Sequence, residues 1–369
     1  MIIKKISVDG FKNLCGIDII PQDKVNVICG ENAQGKTNLI EAIWILSGAK
    51  SFRTTRQTDF IGFDKDIARI DIAFEDSQRE QNISVTLFKP TKEKKILLNG
   101  VKQRSLSSLF GVLKCVVFTP EDLELSKGSP DIRRSFIDLC ISQIKPQYAK
   151  TVAKYETVLM QRNALLKNII LGISTKDELD VWDNQLARLG SYISVLRYQY
   201  VKKLGIYSGG LYDDISNHRE KLKLLYLSSV FRDLENRTDY GGEMTEVYLN
   251  ELVKSRSEDM RLGFTTVGVH RDDVLINVGG VLAKDYGSQG QNRSAALCLK
   301  LGQAYILYDE TNEMPVILLD DVLSALDKSR RDFVLGQIKN MQIFITCCEP
   351  IEKISGKKFF MAGGTVKKD

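Results

Sequence analysis

The stretch that decides the fold is Gly30-Glu31-Asn32-Ala33-Gln34-Gly35-Lys36-Thr37, which matches the phosphate-binding pattern GxxxxGK[ST]. Its glycines let backbone N–H groups turn toward a phosphate, and the following helix presents its positive N-terminal end. The flanking sequence predicts a strand over Lys24–Cys29 and a helix over Lys36–Leu46, the order that this mechanism requires. We therefore expect an ATP site in which Lys36 reaches the β- and γ-phosphates and the Thr37 hydroxyl ligates Mg²⁺.

A second nucleotide element is the apolar run Val316–Leu319, which ends in Asp320 and Asp321. Buried strands often end in acids at a turn, so this pattern alone is weak evidence for a nucleotide site. The P-loop in the same chain makes that interpretation much stronger. In such a pair the first acid holds Mg²⁺ or its water, and the second faces the γ-phosphate and polarises the attacking water. We expect Asp320 and Asp321 to take these two roles.

A third element is Ser288-Gln289-Gly290-Gln291 at the start of a predicted helix over Gln289–Tyr308, and it resembles the signature motif of ABC-type ATPases. A serine and a glycine at a helix N-terminus bind anions through their N–H groups and the helix dipole. In ABC-type ATPases this site meets the γ-phosphate held by the other subunit, so we expect Ser288, Gly290 and Gln291 to contact ATP in trans. An ordinary serine N-cap would explain the same residues.

The chain is similar to the RecF family, bacterial recombination-mediator ATPases related to SMC proteins, over nearly its whole length. The P-loop run extends through Asn38 to Ala42 in the family's manner, and Ser324-Ala325-Leu326-Asp327 resembles its D-loop. The remaining matches are Lys50-Ser51-Phe52-Arg53, Pro120-Glu121-Asp122-Leu123, Lys127-Gly128-Ser129-Pro130 with Arg133-Arg134, Gly268-Val269-His270-Arg271-Asp272-Asp273, Ser288-Gln289-Gly290-Gln291 and Leu319-Asp320-Asp321-Val322-Leu323-Ser324.

This resemblance implies an ATP-dependent homodimer that clamps DNA at gaps or at junctions of single and double strands. It implies slow, DNA-stimulated ATP hydrolysis, with Lys36, Asp320, Asp321 and Ser288 as catalytic residues. It also implies action with RecO and RecR in loading RecA during recombinational repair, replication-fork maintenance and the SOS response to DNA damage. One departure is Thr346-Cys347-Cys348, where the family usually has a threonine run, so the identity of the γ-phosphate sensor stays open.

The order of predicted elements indicates an α/β fold: an ABC-type P-loop ATPase head with a mixed sheet, plus an inserted α-helical lobe. We expect the head over residues 1–125 and 260–369 and the lobe over 126–259. Helical spacing of apolar residues supports the lobe, and strand patterns support the return of the head. The predicted helices of the lobe are Ile132–Ile144, Tyr148–Asn168, Asp177–Leu204 and Glu243–Arg256, and the strands after it are Phe264–Val269, Val274–Leu282 as a hairpin, and Gln342–Cys347.

Composition narrows the class of protein. The chain has 369 residues, of which 43% are hydrophobic and 27% charged, as in globular proteins with a sizeable core. It lacks a long apolar run and an N-terminal signal peptide, and its seven cysteines have no CxxC spacing. These features predict a cytoplasmic protein with no membrane segment, disulfide framework or zinc site. The net charge of +5 permits DNA binding without requiring it.

Three basic clusters are candidates for contacts with DNA phosphates, although a solvated basic loop explains each of them equally well. They are Lys50, Arg53 and Arg56 after the P-loop helix, Lys92, Lys94 and Lys95 on a hairpin, and Arg133 with Arg134. The cluster around His270 predicts either a contact at the nucleotide edge or dimer interface, or a salt-bridged turn.

Other classes of ATPase fit the motif spacing less well. A transporter ATPase would place the signature about a hundred residues after the P-loop, whereas Ser288 lies 252 positions after Lys36. A cohesin- or condensin-like SMC ATPase would need hundreds of coiled-coil residues in that interval. Two alternatives stay open: a head-only SMC-like DNA-repair ATPase with a different partner set, and a DNA clamp that binds ATP without turnover.

Overall fold

The computed structural model describes residues 1–53, 57–235, 241–348 and 355–367, with only the backbone of 57–58. The chain forms two compact units. Unit 1 consists of Met1–Asp122 with Ala296–Asp369, and unit 2 consists of Leu123–Ala295. No helix in the described ranges is both long enough and apolar enough to cross a membrane.

Strands are numbered along the whole chain. They are β1 (Ile2–Asp9), β2 (Ile17–Ile19), β3 (Val25–Cys29), β4 (Ile67–Glu75), β5 (Glu80–Phe88), β6 (Lys94–Leu98), β7 (Val101–Lys102), β8 (Cys115–Phe118), β9 (Leu222–Leu227), β10 (Asp273–Val278), β11 (Val281–Leu282), β12 (Val316–Asp320), β13 (Ile343–Cys347), β14 (Lys357–Ala362) and β15 (Thr365–Val366).

Helices are numbered in the same way. They are α1 (Lys36–Ile45), α2 (Glu124–Lys127), α3 (Pro130–Ile144), α4 (Pro146–Ile170), α5 (Leu179–Ile215), α6 (Gly242–Leu262), α7 (Ala283–Tyr286), α8 (Gln289–Thr311) and α9 (Lys328–Ile338). Short 3-10 turns occupy Gln57–Phe60, Leu106–Leu109, Pro120–Leu123, Lys176–Glu178 and Leu323–Ala325.

One sheet of unit 1 carries the nucleotide motifs, in the order β15-β14-β3-β13-β12-β8. The neighbours from β14 to β8 are parallel, and β15 is antiparallel. Strands β12 and β13 are buried at every residue, as expected of apolar strands covered on both faces. Because carboxyl ends of parallel strands share one edge, the turn after β3 and the acids after β12 meet there. The α/β class and the mixed sheet of the head are thereby confirmed.

The second sheet of unit 1 is antiparallel, in the order β2-β1-β4-β5-β6-β7. Its strands alternate apolar and polar residues, so β4 buries Ala68, Ile70, Ile72 and Phe74 on one face. A hairpin turn at Asn99-Gly100 joins β6 and β7, with φ of 50° and 79°. Asparagine and glycine suit a tight hairpin turn because both tolerate positive φ.

Unit 2 is built around the long helix α5, which packs against α4, α6 and β9. A buried ion cluster joins the three helices: Arg162 of α4 contacts Asp183 of α5 at 2.6 Å and Asp259 of α6 at 2.7 Å. All three side chains are fully buried. Thr265 adds a hydroxyl acceptor for the same guanidinium at 2.8 Å.

Two local expectations were wrong. Leu222–Leu227, placed within a helical region, forms β9 and pairs with β10 in the sheet β11-β10-β9. Phe264–Val269, expected as a strand, is irregular because its N–H groups donate to side chains instead of a neighbouring strand. Thr265 N–H donates to Asn163, and Gly268 N–H to Ser229, each at 2.9 Å.

The boundary at which the chain returns to unit 1 lies between Ala295 and Ala296, whereas the predicted boundary between lobe and head was 259/260. Residues 260–295, expected in the head, are part of unit 2. The pairing of β9 with β10 supplies the physical reason, because it ties this segment to α5 through β9. The chain passes from unit 2 to unit 1 within α8.

Candidate nucleotide-binding site

The P-loop turn after β3 depends on two glycines with positive φ. Gly30 has φ 156° and Gly35 has φ 102°. A Cβ atom on Gly30 would lie 2.5 Å from the carbonyl oxygen of Met361, and one on Gly35 would lie 2.7 Å from Leu14 Cδ2. The backbone can therefore turn this tightly only with glycine at both positions.

Lys36 and Thr37, the first residues of α1, place their polar groups at the predicted site. The Lys36 ammonium donates to the carbonyl oxygens of Gly30 and Glu31, at 2.7 Å each, so it folds back over the loop. Thr37 Oγ1 donates to Asp320 Oδ1 at 3.0 Å, although the two residues are far apart in sequence. The structure thus brings the P-loop and the end of β12 together.

Asp320 is held by two hydroxyl groups. Besides Thr37, Thr346 Oγ1 donates to Asp320 Oδ1 at 2.8 Å, because Asp320 and Thr346 are register partners on β12 and β13. Burial raises the pKa of Asp320, while the bonds from Thr346 and Thr37 and the charge of Arg53 lower it. A buried carboxylate whose charge is disfavoured, beside a hydroxyl, is a donor set that suits a hard cation such as Mg²⁺.

Asp321 is turned toward solvent by a left-handed backbone, with φ 52°. Aspartate tolerates this conformation better than most residues. Its N–H donates to Thr346 Oγ1 at 2.9 Å, and Ser324 Oγ donates to its carboxylate at 2.8 Å. Thr346 therefore fixes both acids. The register of β13 against β12 places it there, and no local sequence motif indicates this role.

A cavity of about 1130 Å³ opens at this edge of the sheet. Of its described lining residues, five are cationic and three acidic, a balance of +2 that favours an anionic ligand. Arg53 is among them, and its Nη1 donates to Asn38 Oδ1 at 3.3 Å. The cavity is lined by Lys12, Asn13, Leu14, Cys15, Asn32, Ala33, Gly35, Lys36, Thr37, Asn38, Arg53, Asp59, Ile61, Gly62, Phe63, Asp64, Lys65, Lys89, Asp321 and Thr346.

Buried Glu41 of α1 fixes the segment that carries Arg53. Its carboxylate accepts hydrogen bonds from the Lys12 ammonium and the Ser51 hydroxyl. Ser51 Oγ in turn accepts from the N–H of Arg53 at 2.9 Å. Arg53 was expected only as a DNA contact and Lys12 in no role, since tertiary contacts that a local pattern does not reveal bring both to the cavity.

The far side of the P-loop rests on the turn between β14 and β15 and on the end of β13. Gln34 accepts from the N–H groups of Gly363 and Gly364. The Cys348 thiol lies 3.1 Å from Asn32 Oδ1 and 3.9 Å from the Lys36 ammonium. Cys348 thus lies beside the loop, and of Thr346, Cys347 and Cys348 only Thr346 lines the cavity.

The predicted signature residues lie in unit 2, at the N-terminus of α8. Ser288 Oγ accepts from Gln291 N–H at 3.2 Å, and Gln291 Oε1 accepts from Ser288 N–H at 2.8 Å. This reciprocal pair is a capping box, so the expected serine N-cap is present. Gln291 also donates to Glu220 at 2.7 Å. Because the cap uses a lone pair of Ser288 Oγ, the hydroxyl proton can still be donated to an anion.

The predicted basic clusters have different surroundings. Lys50 is exposed, Arg53 lines the cavity, and Arg56 lies outside the described residues. Arg133 is buried and pairs with Asp273 at 2.7 Å, and Arg134 contacts Asp131. These ion pairs within unit 2 weigh against the last two arginines as DNA contacts.

His270 belongs to the interior of unit 2. Its Nδ1 lies 2.9 Å from the Tyr155 hydroxyl, and its Nε2 lies 3.1 Å from the Thr265 carbonyl oxygen. Burial lowers the pKa of His270 to about 4, so the ring is neutral at pH 7. Asp272 accepts hydrogen bonds from Tyr226 and Ser229, and Asp273 pairs with Arg133, so the cluster forms a turn that contains an ion pair. A contact at the nucleotide edge or dimer interface stays a prediction.

The chain is similar in sequence to known proteins of one family. Residues 2–357 match the family model described as the RecF/RecN/SMC N terminal domain. The chain is 38% identical over 347 residues to the DNA replication and repair protein RecF of Clostridium tetani, covering 94% of this chain and 93% of that protein. It is 39% identical over 348 residues to the protein of the same name from Agathobacter rectalis, covering 94% and 92%.

Solved structures agree with the sequence relatives. The fold matches the recombination mediator protein RecF with ATP, in the RecFOR pathway, at a TM-score of 0.91 and 36% identity, covering 99% of this chain and 97% of that one. It also matches an SMC head bound to the C-winged helix domain of ScpA, at a TM-score of 0.57 and 16% identity, covering 100% and 96%. The second likeness concerns the fold alone.

Proposed function

The chain belongs to the RecF family, and from this premise we propose that it is an ATP-dependent DNA-binding protein of recombinational repair and replication-fork maintenance. The observation that carries the proposal is that Lys36, Thr37 and Thr346 line one cavity and that both hydroxyls bond to the buried Asp320. In our proposal the chain acts in the cytoplasm with RecO and RecR, and helps to load RecA on gapped DNA. Identities of 36–39% to RecF proteins, against 16% to an SMC head, favour this partner set over a different SMC-like one.

The residues of unit 1 support binding of the triphosphate. N–H groups of Gly30–Gly35 and the N-terminus of α1 bind the phosphates, and Lys36 exchanges its two carbonyl acceptors for phosphate oxygens. Thr37 and Asp320 would hold Mg²⁺, which would neutralise phosphate charge. The balance of +2 along the cavity attracts the anionic nucleotide.

Hydrolysis depends on Asp321, which we propose orients and polarises the water that attacks the γ-phosphorus, with ADP as the leaving group. Thr346 holds the backbone of Asp321 and Ser324 holds its carboxylate, so the acid is fixed before ATP binds. Turnover is slow in this proposal, because retention on DNA needs a persistent ATP-bound state.

Dimerisation is proposed to follow from the signature motif. Ser288 and Gly290 of one subunit contact the γ-phosphate bound by the P-loop of another, with the hydroxyl proton of Ser288 as donor. ATP then shifts monomers toward dimers by mass action, and hydrolysis removes the bridge. The dimer closes around DNA.

Binding to gapped, duplex and single-stranded DNA, measured by fluorescence anisotropy with ATP or ADP across a salt series, tests the proposal. We expect ATP to tighten binding to gapped DNA by about tenfold or more relative to ADP, since only the dimer presents two DNA-contacting surfaces. The salt slope gives the number of phosphate contacts.

The matched control is Lys36→Arg, which keeps the charge but disturbs the phosphate contacts. This variant should bind DNA equally with ATP and ADP. Equal affinities with ATP and ADP for the unsubstituted protein would refute the ATP-dependent clamp.

A further inference from the structure

We propose that Phe63 is a stacking platform for the base of the bound nucleotide, a site that rests on the proposed binding of ATP. The Phe63 side chain is 99% exposed and lines the same cavity as Lys36 and Thr37. A fully exposed phenylalanine ring leaves a large apolar face in water, and a purine ring can cover it. The cavity thus offers a phosphate end and an aromatic end.

The ring stands on a fixed turn. Gly62 N–H donates to the Gly10 carbonyl at 2.9 Å, and Lys65 N–H donates to the Gly62 carbonyl at 3.0 Å. The Lys89 ammonium donates to the Phe63 carbonyl at 2.9 Å. Because these three bonds hold the backbone of the turn, less backbone freedom is lost when a base stacks on the ring.

The turn also lies close to the segment that precedes the P-loop. A Cβ atom on Gly62 would come within 2.7 Å of the Lys12 carbonyl oxygen, so the two backbones are in contact. Beneath the turn, Phe11 and Phe60 stack at 5.6 Å between ring centroids. The aromatic end of the cavity is therefore anchored to the same core as the phosphate end.

The chemistry of the site sets the class of ligand. The Lys89 ammonium lies 6.0 Å from the centroid of the Phe63 ring, and Lys65 lines the same end of the cavity. These cations favour an anionic ligand that also carries a flat ring, as a nucleoside triphosphate does. Stacking accepts any base, because every base has a π-face, so Phe63 contributes affinity without choosing between adenine and guanine.

The experiment compares Phe63→Ala with the unsubstituted protein for binding of ATP and of inorganic tripolyphosphate, by isothermal titration calorimetry. We expect Phe63→Ala to weaken ATP binding by about tenfold, the range that base–aromatic stacking gives, and to leave tripolyphosphate binding unchanged. Tyr308→Ala is the matched control, since Tyr308 is 40% exposed and does not line the cavity. It should bind both ligands normally.

A second variant gives a direct signal. In Phe63→Trp, ATP should quench the added tryptophan fluorescence and tripolyphosphate should not, relative to the protein with only its native tryptophans. Normal ATP binding by Phe63→Ala, or equal weakening of both ligands, would overturn the stacking site and leave the proposed function standing. If the unsubstituted protein bound no ATP, the proposed function would fall and the stacking site with it.

Discussion

Asp320 shows at the residue scale how a functional group can weaken the fold that carries it. Asp320 is 5% exposed, and the described groups that stabilise its charge are the hydroxyls of Thr37 and Thr346 and the guanidinium of Arg53. Burial raises its pKa, so the folded chain holds the proton more tightly than the unfolded chain. Stability therefore falls as pH rises from the ordinary aspartate pKa through the raised value, and the deficit persists at pH 7.

Asp320→Asn should raise the melting temperature at pH 7 when ATP and Mg²⁺ are absent, because the amide removes the buried charge and still accepts from Thr37 and Thr346. The gain should shrink as pH falls toward the ordinary aspartate pKa. Hydrolysis by the same variant should drop by about a hundredfold or more, since it removes the proposed Mg²⁺ ligand. Scanning calorimetry across pH and a phosphate-release assay check both halves.

Asp321→Asn is the control for this prediction. Because Asp321 is exposed, Asp321→Asn should not raise the melting temperature. It should still lose hydrolysis, since Asp321 is the residue proposed to polarise the attacking water. A lower melting temperature for Asp320→Asn at pH 7 would contradict the burial argument.

Some site residues could be predicted from sequence and others could not, for a physical reason. Lys36 and Thr37 directly follow the P-loop turn, and Asp320 ends a recognisable apolar strand, so local patterns reveal them. The bonds of Thr346 depend on which strands are neighbours and in what register, and a single sequence does not contain that information. Phe63 is apparent only once its turn is folded beside the P-loop.

At the scale of elements, the buried ion cluster of unit 2 determines how α4, α5 and α6 pack. Arg162 joins Asp183 and Asp259, and Arg256 adds a bond to Asp183 at 2.6 Å. Charges taken out of water this completely are stable only while every partner is present. The cluster therefore specifies the register of the three helices.

Arg162→Ala should destabilise the protein by about 3–5 kcal/mol, because it leaves buried Asp259 without its cation and leaves Asp183 with Arg256 alone. Urea unfolding followed by circular dichroism measures the loss. Lys154→Ala on the exposed side of the same helix should change stability by about 0.5 kcal/mol or less. A loss of that small size for Arg162→Ala would show that the cluster does not hold the helices.

Prediction of elements failed where side chains replaced backbone partners. The four long helices of unit 2 have the apolar spacing that predicted them, and their observed bounds exceed the predicted ones at most ends. Phe264–Val269 has strand-like composition, yet Asn163 and Ser229 bind its N–H groups. Composition alone cannot distinguish these two ways of satisfying a backbone.

At the scale of the whole molecule, the split position of the motifs makes subunit association the central property to measure. The P-loop and acidic pair belong to unit 1, whereas Ser288 and Gly290 belong to unit 2. Both sets are parts of the proposed composite site. A substitution in the set of unit 2 should therefore change dimerisation without changing ATP binding.

Ser288→Arg should bind ATP normally but fail to dimerise with it, because a bulky side chain occupies the place of the γ-phosphate contact. Size-exclusion chromatography with light scattering, with and without ATP, measures the mass. Ser288→Thr keeps a capping hydroxyl and should still dimerise. ATP-dependent dimers of Ser288→Arg would exclude the trans contact.

The position of β3 in its sheet has a consequence for synthesis on the ribosome. Its neighbours β13 and β14 are encoded more than 300 residues later. At usual elongation rates, β3 therefore waits roughly 15–60 s after its synthesis before its neighbouring strands are made. Over that time the nascent chain exposes an apolar edge that ribosome-associated chaperones recognise, while the helices of unit 2 can already assemble. Slow codons late in the message would prolong this exposure and lower the yield of native protein.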